Sequence, residues 1–514
     1  MLSVNQLTID LIKSGHRLVN NLSFTLNEGD KIAIIGHEGT GKSTLIKLLS
    51  SHTDISHAEY FGTIMKQGTS GYLDQDTKSL WRDTLTRDFF ILDNPQGHPN
   101  TNRYESLKRL PKALSKMDFP MERFDDDKRI GEYSGGEVIK LALAKLLIEE
   151  HDMLFLDEPS NDLDFETVFF LERFIKNSST PIVYISHDER LLENTANAII
   201  HLQRIKKRTD AISHFERLSY SEYRHHRLSE YQSKLMQAKK ERNDYKKKMD
   251  KFRQIYQKVE HLQNETVRNP SAARLLKKKI KHLKSMEGRF EKEKAQFTEI
   301  PEAEETIDIR FDSVDFPKGK VLLDLKLPKL IRNDMILSKK VNLMLKGPVK
   351  IAIVGRNGIG KTTLLEMIHR TLKADASMRV GLMPQDYMEG NDKRDVLTFF
   401  GASTDRKKEA DVRKILGALA FEREEMLKRV EDLSGGQKAK LHLLRMIMDR
   451  CNVLLLDEPT RNLSPLSLPK VREMLDAYDG AIIAITHDRI FIEEVFDSIY
   501  LLDEKGLHPL DALR

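Results

Sequence analysis

Gly36-His37-Glu38-Gly39-Thr40-Gly41-Lys42-Ser43 is the stretch on which the fold turns. It follows the apolar run KIAII, residues 31–35, and precedes the helical-looking TLIKLLS. A G-x-x-x-x-G-K-[ST] loop between a strand and a helix has the context that a phosphate-binding loop requires. Gly36, Gly39 and Gly41 let the backbone wrap phosphates, and amides at the helix start, around Thr44, donate to them. Lys42 places positive charge on the β/γ-phosphates, and the Ser43 hydroxyl is a ligand for Mg²⁺. A chance glycine-rich turn is the bland alternative, and the flanking elements weigh against it.

Further along, the apolar run 153–156 ends in Asp157-Glu158-Pro159. An acidic residue at the end of a buried strand sits beside the phosphate loop, so Asp157 can hold Mg²⁺ and Glu158 can polarise an attacking water. A third apolar run, 181–185, is followed by His187. That histidine can reach a γ-phosphate, although a lone loop histidine is more often simply hydrogen-bonded in place. Between these runs, Tyr133-Ser134-Gly135-Gly136-Glu137 opens a helical segment, which makes it a second phosphate-binding helix start.

The whole set recurs. The second loop is Gly355-Arg356-Asn357-Gly358-Ile359-Gly360-Lys361-Thr362, with Thr363 after it. Leu433-Ser434-Gly435-Gly436-Gln437, Asp457-Glu458-Pro459 and His487 follow. Ser134 to Asp157 and Ser434 to Asp457 are both 23 residues, and Glu158 to His187 and Glu458 to His487 are both 29. One motif can arise by accident; an ordered set repeated at matched spacing does not.

Between the copies lies a long basic stretch, about Arg217 to Phe297. Leu228, Tyr231, Leu235, Ala238, Tyr245, Met249, Phe252, Tyr256 and Val259 alternate in steps of three and four, with Arg242 interrupting. This is a heptad seam. Asn269-Pro270 breaks the helix, and a shorter seam returns through Leu276, Ile280, Leu283, Phe290 and Phe297. Two such helices predict an antiparallel hairpin with its tip near 261–274. From Gln203 to Thr298 there are 27 Lys/Arg against 12 Asp/Glu, so this stretch carries +15 while the whole chain carries only +5. A single basic run is as readily a solvated helix face; a whole basic arm between acidic flanks favours a polyanion partner.

Composition narrows the classes. The 514 residues suit about three domains, and no apolar run reaches the roughly 18–20 residues that span a bilayer. The first residues, MLSVNQLTID, do not read as a secretory signal. With one cysteine, Cys451, the chain has no intrachain disulfide or cysteine-rich metal site. Cys451 reads as a core residue.

These motifs resemble the ATP-binding cassette superfamily across essentially the whole chain. The resemblance implies two Walker A loops closed by Ser43 and Thr362, Walker B aspartates Asp157 and Asp457, and catalytic glutamates Glu158 and Glu458. It implies that Gln75 in GYLDQ and Gln385 in GLMPQ are Q-loop residues sensing Mg²⁺ and γ-phosphate. Ser134–Glu137 and Ser434–Gln437 match the signature, and His187 and His487 match the switch histidines. The cofactors implied are ATP and Mg²⁺. Family members close head to tail, which places Lys42 opposite Ser434 and Lys361 opposite Ser134 in a monomer whose two cassettes pair.

Two fused cassettes with a basic hairpin are similar to the ABC-F family of translation factors, which bind the ribosome at its tRNA exit site and extend the hairpin toward the peptidyl-transferase centre and P-site tRNA. The iron–sulfur and zinc branches of the superfamily need cysteines that this chain lacks. About thirty residues separate the first Walker A loop from Gln75, leaving no room for an arm insertion, and the chain ends soon after His487. The second D-loop reads Thr460-Arg461-Asn462-Leu463-Ser464-Pro465-Leu466-Ser467, against Ser160-Asn161-Asp162-Leu163-Asp164 in the first. Its Ser-Pro resembles the Vga/Lsa/Sal-type antibiotic-resistance subgroup, Vga-type above all. That implies protection of ribosomes from lincosamides, streptogramin A and pleuromutilins, by a cytoplasmic, ribosome-associated protein contacting rRNA and tRNA with no stable membrane association. The alternatives are a housekeeping ABC-F factor, the ATPase subunit of a drug efflux pump, or a DNA-associated ATPase.

Two departures stand out. Glu137 replaces glutamine in the first signature and adds negative charge near an ATP site. The usual aromatic under adenine is replaced, upstream of Gly36, by His16 beside Arg17, with no clear counterpart in the second half. The expected fold is α/β: two P-loop cassettes at 1–205 and 301–514, joined by an antiparallel helical hairpin at 206–300.

Overall fold

The computed structural model describes residues 1–50, 55–97, 103–161, 163–205, 210–265, 270–298, 319–375, 377–385, 393–401, 406–418, 421, 423, 425–461 and 463–511. Strands β1 (Leu2–Leu11) and β2 (Arg17–Leu26) pair antiparallel. β3 (Lys31–Gly36) is buried at every position, and β4 (Ala58–Lys66) adds to the other edge of β1. β5 (Ser70–Leu73), β6 (Met153–Asp157), β7 (Ile182–Ile185), β8 (Ala198–Ile205) and β9 (Asp210–Glu216) join β3 in a sheet of order β5-β6-β7-β3-β8-β9. All its pairings are parallel except β8 with β9. β6 and β7 are fully buried, which is why they read as unbroken apolar runs and not as alternation.

The second half repeats this plan. β10 (Val321–Arg332) and β11 (Met335–Lys346) form an antiparallel pair. β12 (Lys350–Val354), β13 (Val380–Met383), β14 (Val453–Asp457), β15 (Ala481–Ile485), β16 (Ser498–Asp503) and β17 (Gly506–Leu510) form a sheet of order β13-β14-β15-β12-β16-β17. Strand for strand this is the topology of the first sheet. Leu45, Ile46 and Leu49 of the helix Lys42–Ser50 fill one core. Leu364, Leu365, Ile368 and Leu372 of the helix Lys361–Lys373 fill its counterpart. Cys451 lies in the apolar cluster around the helix Gly435–Met448, as a core residue should. Burial pushes its thiol up to about 11.

Register aligns Asp157 with Ile185 and Asp457 with Ile485. The acidic strand ends, the histidines two residues beyond β7 and β15, and the glycine loops therefore leave their sheets at one carboxyl edge, where open α/β sheets bind ligands.

Met1–Tyr220 together with Glu305–Arg514 make one compact unit, so the two cassettes pack on each other; Ser221–Glu304 make a second. The linker therefore starts later than residue 206. β9 pairs with β8 and belongs to the first sheet, a strand hidden in sequence by the basic run before it. The second unit holds the helices Tyr220–Glu265 and Pro270–Ala295. The first, with 46 residues, is about 69 Å long at 1.5 Å per residue. Pro270 opens the second helix, where its missing amide does no harm.

The pairing is antiparallel. Tyr245 meets Phe297 at 5.4 Å, Lys248 meets Glu293 at 2.5 Å and Phe252 meets Phe290 at 6.0 Å. Phe252, Val259 and Leu283 form the buried centre of the seam, with Met249, Tyr256, Ile280 and Phe290 against it. Leu228 departs from the predicted seam and is 53% exposed. Arg242, the interruption, has a structural use: its guanidinium donates to the carbonyls of Ala238 at 3.1 Å and Thr298 at 3.4 Å. Of the expected tip at 261–274, residues 266–269 lie outside the described residues.

Two predictions follow from the hairpin's base and middle. The Glu241 carboxylate accepts the Thr298 amide at 2.7 Å and its hydroxyl at 2.9 Å. The Thr298 amide bond first, then Gln237, hold this carboxyl below its ordinary range. Its contribution is thus present above the unfolded value, about 4.3, and is lost as pH falls through the lower folded value. Glu241→Gln should speed exchange of the Thr298 amide at neutral pH and abolish the acid dependence of that exchange. At Gly288 no described atom lies within 4 Å of an added Cβ. Gly288→Ala should stabilise the hairpin by about 0.5–1 kcal/mol, read as slower amide exchange along Pro270–Ala295.

Candidate functional site

The first site gathers at the end of β3. Gly41 has φ +95° and an added Cβ would sit 2.8 Å from Leu18. Only glycine closes this turn, because both the torsion and the space forbid a side chain. Gly36 and Gly39 complete the loop, and the Lys42 ammonium folds back on the carbonyls of Gly36 at 3.0 Å and His37 at 3.1 Å. Burial lowers its pKa, opposed by Glu158, Glu38 and Asp157. Ser43 Oγ donates to Asp157 Oδ1 at 3.2 Å, and Tyr72 OH donates to Oδ2 at 3.2 Å. The Thr44 hydroxyl lies 3.4 Å from His57 Nε2.

Glu158 is the hub of this site. Gln75 Nε2 donates to its Oε2 at 3.2 Å, Asn161 Nδ2 donates to the same oxygen, and His187 Nε2 lies 3.5 Å from Oε1. Burial would raise Glu158, but the His187 ring, Lys42 and Asn161 outweigh it and hold the carboxyl down to about 2. Asp157 goes the other way: burial, then the Glu158 charge, push it up to about 6.

The second site repeats the frame with different electrostatics. Gly355, Gly358 and Gly360 shape the loop, and an added Cβ at Gly360 would meet Leu337 at 2.7 Å. Lys361 donates to Gly355 O at 2.7 Å, Arg356 O at 3.2 Å and Asn357 Oδ1 at 3.3 Å. Thr362 Oγ1 donates to Gln385 Oε1 at 3.4 Å. Burial, then Asp457, push Glu458 up. Burial, then Lys361, push His487 down to about 3. The two groups lie 3.6 Å apart. Arg461 stands where the first site has Asn161.

The signature serines start helices in capping boxes. Ser134 Oγ accepts the Glu137 amide at 3.2 Å while Glu137 accepts the Ser134 amide at 2.8 Å. Ser434 and Gln437 do the same at 3.4 and 3.0 Å. Glu137 also meets Arg123 at 3.2 Å. Burial raises this carboxyl, yet the Ser134 amide and Arg123 leave it below its usual range. Its charge is held by the cap and by Arg123.

The two halves face each other. The amide of Gly436, after Ser434 and Gly435, donates to Glu38 of the first loop at 3.3 Å, which brings the second signature to the first glycine loop. His187 Nδ1 lies 3.0 Å from the Leu463 carbonyl. On the other side, Arg356 of the second loop meets Glu166 at 3.4 Å, and His487 meets the Phe165 ring at 5.1 Å. There the facing element is the start of the helix Phe165–Asn177. The first signature packs directly behind it: an added Cβ on Gly136 would lie 2.4 Å from Thr167 Oγ1. A cavity of about 900 Å³ spans this junction, lined by Lys361, Thr362, Gln385, Asp457, Glu458 and His487 with Ser160 and Asn161 from the first half.

The ABC transporter family profile matches residues 19–161 and 338–461, more than half of the chain. The chain belongs to the ABC transporter family. Among its relatives, the putative ATP-binding protein YdiF of Bacillus subtilis (strain 168) is 28% identical over 96% of this chain and 79% of that protein. ATP-binding protein Uup of Buchnera aphidicola is 25% identical over 96% and 79%. ABC transporter F family member 5 of Arabidopsis thaliana is 25% identical over 95% and 73%. In structure the chain is similar to archaeal ribosome recycling factor aABCE1, solved with ribosomal stalk protein aP1: TM-score 0.58 and 16% identity over 98% of this chain and 90% of that one. RNase-L Inhibitor gives 0.55 and 15% over the same shares. At these identities the likeness establishes the fold of two ABC domains in one chain.

As an ABC protein with two such domains, this chain is an ATPase. The donor set suits Mg²⁺. Asp457 Oδ2 is buried without a hydrogen-bond partner, and no cluster of three or more His, Cys, Asp or Glu occurs among the described residues. One carboxylate, one hydroxyl and the oxygens of a phosphate match an ion that keeps its waters and avoids all-protein cages.

Sequence reading missed Tyr72, Asn161, Glu38 and Phe165. Tyr72 aligns with Leu382 and Glu38 with Asn357, so the repeat carried no signal for them. Gly41→Ala should abolish ATP binding, because the loop must open to admit the methyl group; Gly29→Ala, where no described atom lies within 4 Å, should leave nucleotide binding intact. Fluorescent-nucleotide titration of both variants distinguishes a local block from a general effect.

Proposed function

We propose that this ATPase is an ABC-F ribosome-protection factor. Its cassettes would bind two ATP molecules between facing halves, Lys42 with Ser434 and Lys361 with Ser134. Ser43 with Asp157, and Thr362 with Asp457, would hold Mg²⁺, which offsets phosphate charge, with Gln75 and Gln385 beside it. Glu158 and Glu458 would polarise the attacking waters, and His187 and His487 would contact the γ-phosphates. His16 and Arg332 occupy or adjoin the matching β1–β2 and β10–β11 turns, where each can cover an adenine.

The observation that carries this reading is the basic hairpin, with a first helix of about 69 Å, inserted in the sequence between two cassettes. A bilayer-bound transporter ATPase has no use for it, whereas rRNA attracts it strongly. Among the described residues no helix is long and apolar enough to cross a membrane. The F-family name of one relative and the ribosomal titles of the structural neighbours point the same way. ATP would favour the closed form by differential affinity; the closed form would occupy the tRNA exit site and push the tip toward the peptidyl-transferase centre. P-site tRNA would shift, a bound lincosamide, streptogramin A or pleuromutilin would leave, and hydrolysis would release the protein.

The test is ribosome co-sedimentation of the Glu158→Gln, Glu458→Gln protein with ATP, beside lincomycin and tiamulin tolerance of cells carrying the native protein. ATP-dependent binding with raised tolerance is expected. Binding without tolerance would make it a housekeeping ABC-F factor; absence of binding would defeat the ribosome reading. Loss of both general bases should lower turnover by about 10²–10⁴-fold. Of the single variants, Glu158→Gln should cost more, because Glu158 is the ionised, three-times-held carboxylate.

A further inference from the structure

Four charged residues hold the cassettes together, and their signs follow a pattern. Glu172 lies in the helix Phe165–Asn177 and Glu189 opens the helix Glu189–Thr195. In the second cassette, at the same spacing that relates all the matched motifs from Ser134 onward, stand Arg472 and Arg489. Arg472 Nη1 pairs with Glu189, their side chains 2% and 1% exposed. Arg489 Nη1 pairs with Glu172 at 2.9 Å. The two pairs are images of each other under the cassette repeat, with the charges exchanged.

We propose that these four residues are a pairing code that lets the first cassette close only on a second cassette. A dimer of two first cassettes would set Glu172 against Glu189 at both positions. A dimer of two second cassettes would set Arg472 against Arg489. Interfaces related by a two-fold axis bring matching patches together, so like charges exclude both self-pairings, and opposite charges favour the mixed pair. The partner that this surface fits is the other half of the same chain, made effectively concentrated by the linker.

The surrounding residues agree with the assignment. Asn194 donates to Glu172 Oε1 at 2.8 Å, while Glu494, at the matching position, accepts from Arg472 Nε at 2.6 Å. Tyr220 OH donates to Glu189 Oε1 at 3.2 Å, and Arg489 lies over the Phe169 ring at 4.9 Å. Arg190 and Glu493 add a third opposite pair toward the rim. Asp188 and Asp488 are common to both halves and cannot sort them; Arg489 comes within 3.8 Å of Asp188. The code adjoins His187 and His487, so pairing and completion of the ATP sites are one event.

The test uses full-length chains. Glu172→Arg with Glu189→Arg gives an all-basic interface, and Arg472→Glu with Arg489→Glu an all-acidic one. Each is expected to lose ATP turnover by about tenfold or more. The chain with all four changes should return to within about threefold of the native rate. Mixing the two half-reversed chains should also restore turnover, now in a species of twice the mass by sedimentation velocity, which misfolded chains could not form. A milder cycle, Glu189→Gln and Arg472→Gln singly and together, should show a double variant more active than the product of the single effects. Native turnover in both half-reversed chains would overturn the code, as would additive effects in the Gln cycle or a four-fold reversal no better than either half.

Discussion

The Glu189–Arg472 pair is the constraint on which the closed arrangement depends. Both side chains are buried almost completely, and within its own cassette Arg472 also meets the half-exposed Glu494. Removing one partner of a buried pair typically costs about 3–5 kcal/mol, because the survivor remains desolvated. Closing the cassettes satisfies Glu189 with Arg472 and Tyr220 at once. The same approach carries Gly436 to Glu38 and the Leu463 carbonyl to His187. The interface and the first ATP site are therefore built from the same facing surfaces.

The two sites inherit one topology and differ in charge. Asp164, at the end of the first D-loop, caps its helix by accepting the Thr167 amide at 3.0 Å. Its charge also reaches Lys361 and His487 across the junction. In the second half Ser464-Pro465 stands there, and the following helix begins only at Leu468, against Phe165 in the first. Ser464 is neutral, and its carbonyl instead takes the Ser467 amide at 2.9 Å. The first site therefore faces a neutral turn and the second an aspartate. Burial and Asp457 raise Glu458 against the pull of Lys361 and Arg461, whereas His187, Lys42 and Asn161 hold Glu158 down.

The hairpin obeys another rule. Its helices are polar outside and thinly apolar between, with a seam built on Phe252, Val259 and Leu283. Such a narrow seam leaves the basic side chains in water, where they remain available to a polyanion. Arg242, an apparent flaw in the heptads, and Glu241 beside it bind the returning chain at Thr298, so the base is held by polar contacts.

The fold and the layout of the candidate site were legible in sequence because they are local. A glycine loop, a buried strand ending in Asp-Glu and a capped Ser-Gly-Gly helix each announce themselves within a few residues. Their ordered repetition established two cassettes, and heptads with Asn269-Pro270 established the hairpin. The strand Asp210–Glu216 was not legible, since its assignment rests on pairing with β8 and not on its own pattern. Nor were Glu172, Glu189, Arg472 and Arg489, which read as ordinary charges on helix surfaces. Their meaning depends on which surface meets which, and on burial that makes a like-charge encounter prohibitive. Only tertiary packing decides that, because electrostatic strength is set by the distance and the medium between groups far apart in the chain.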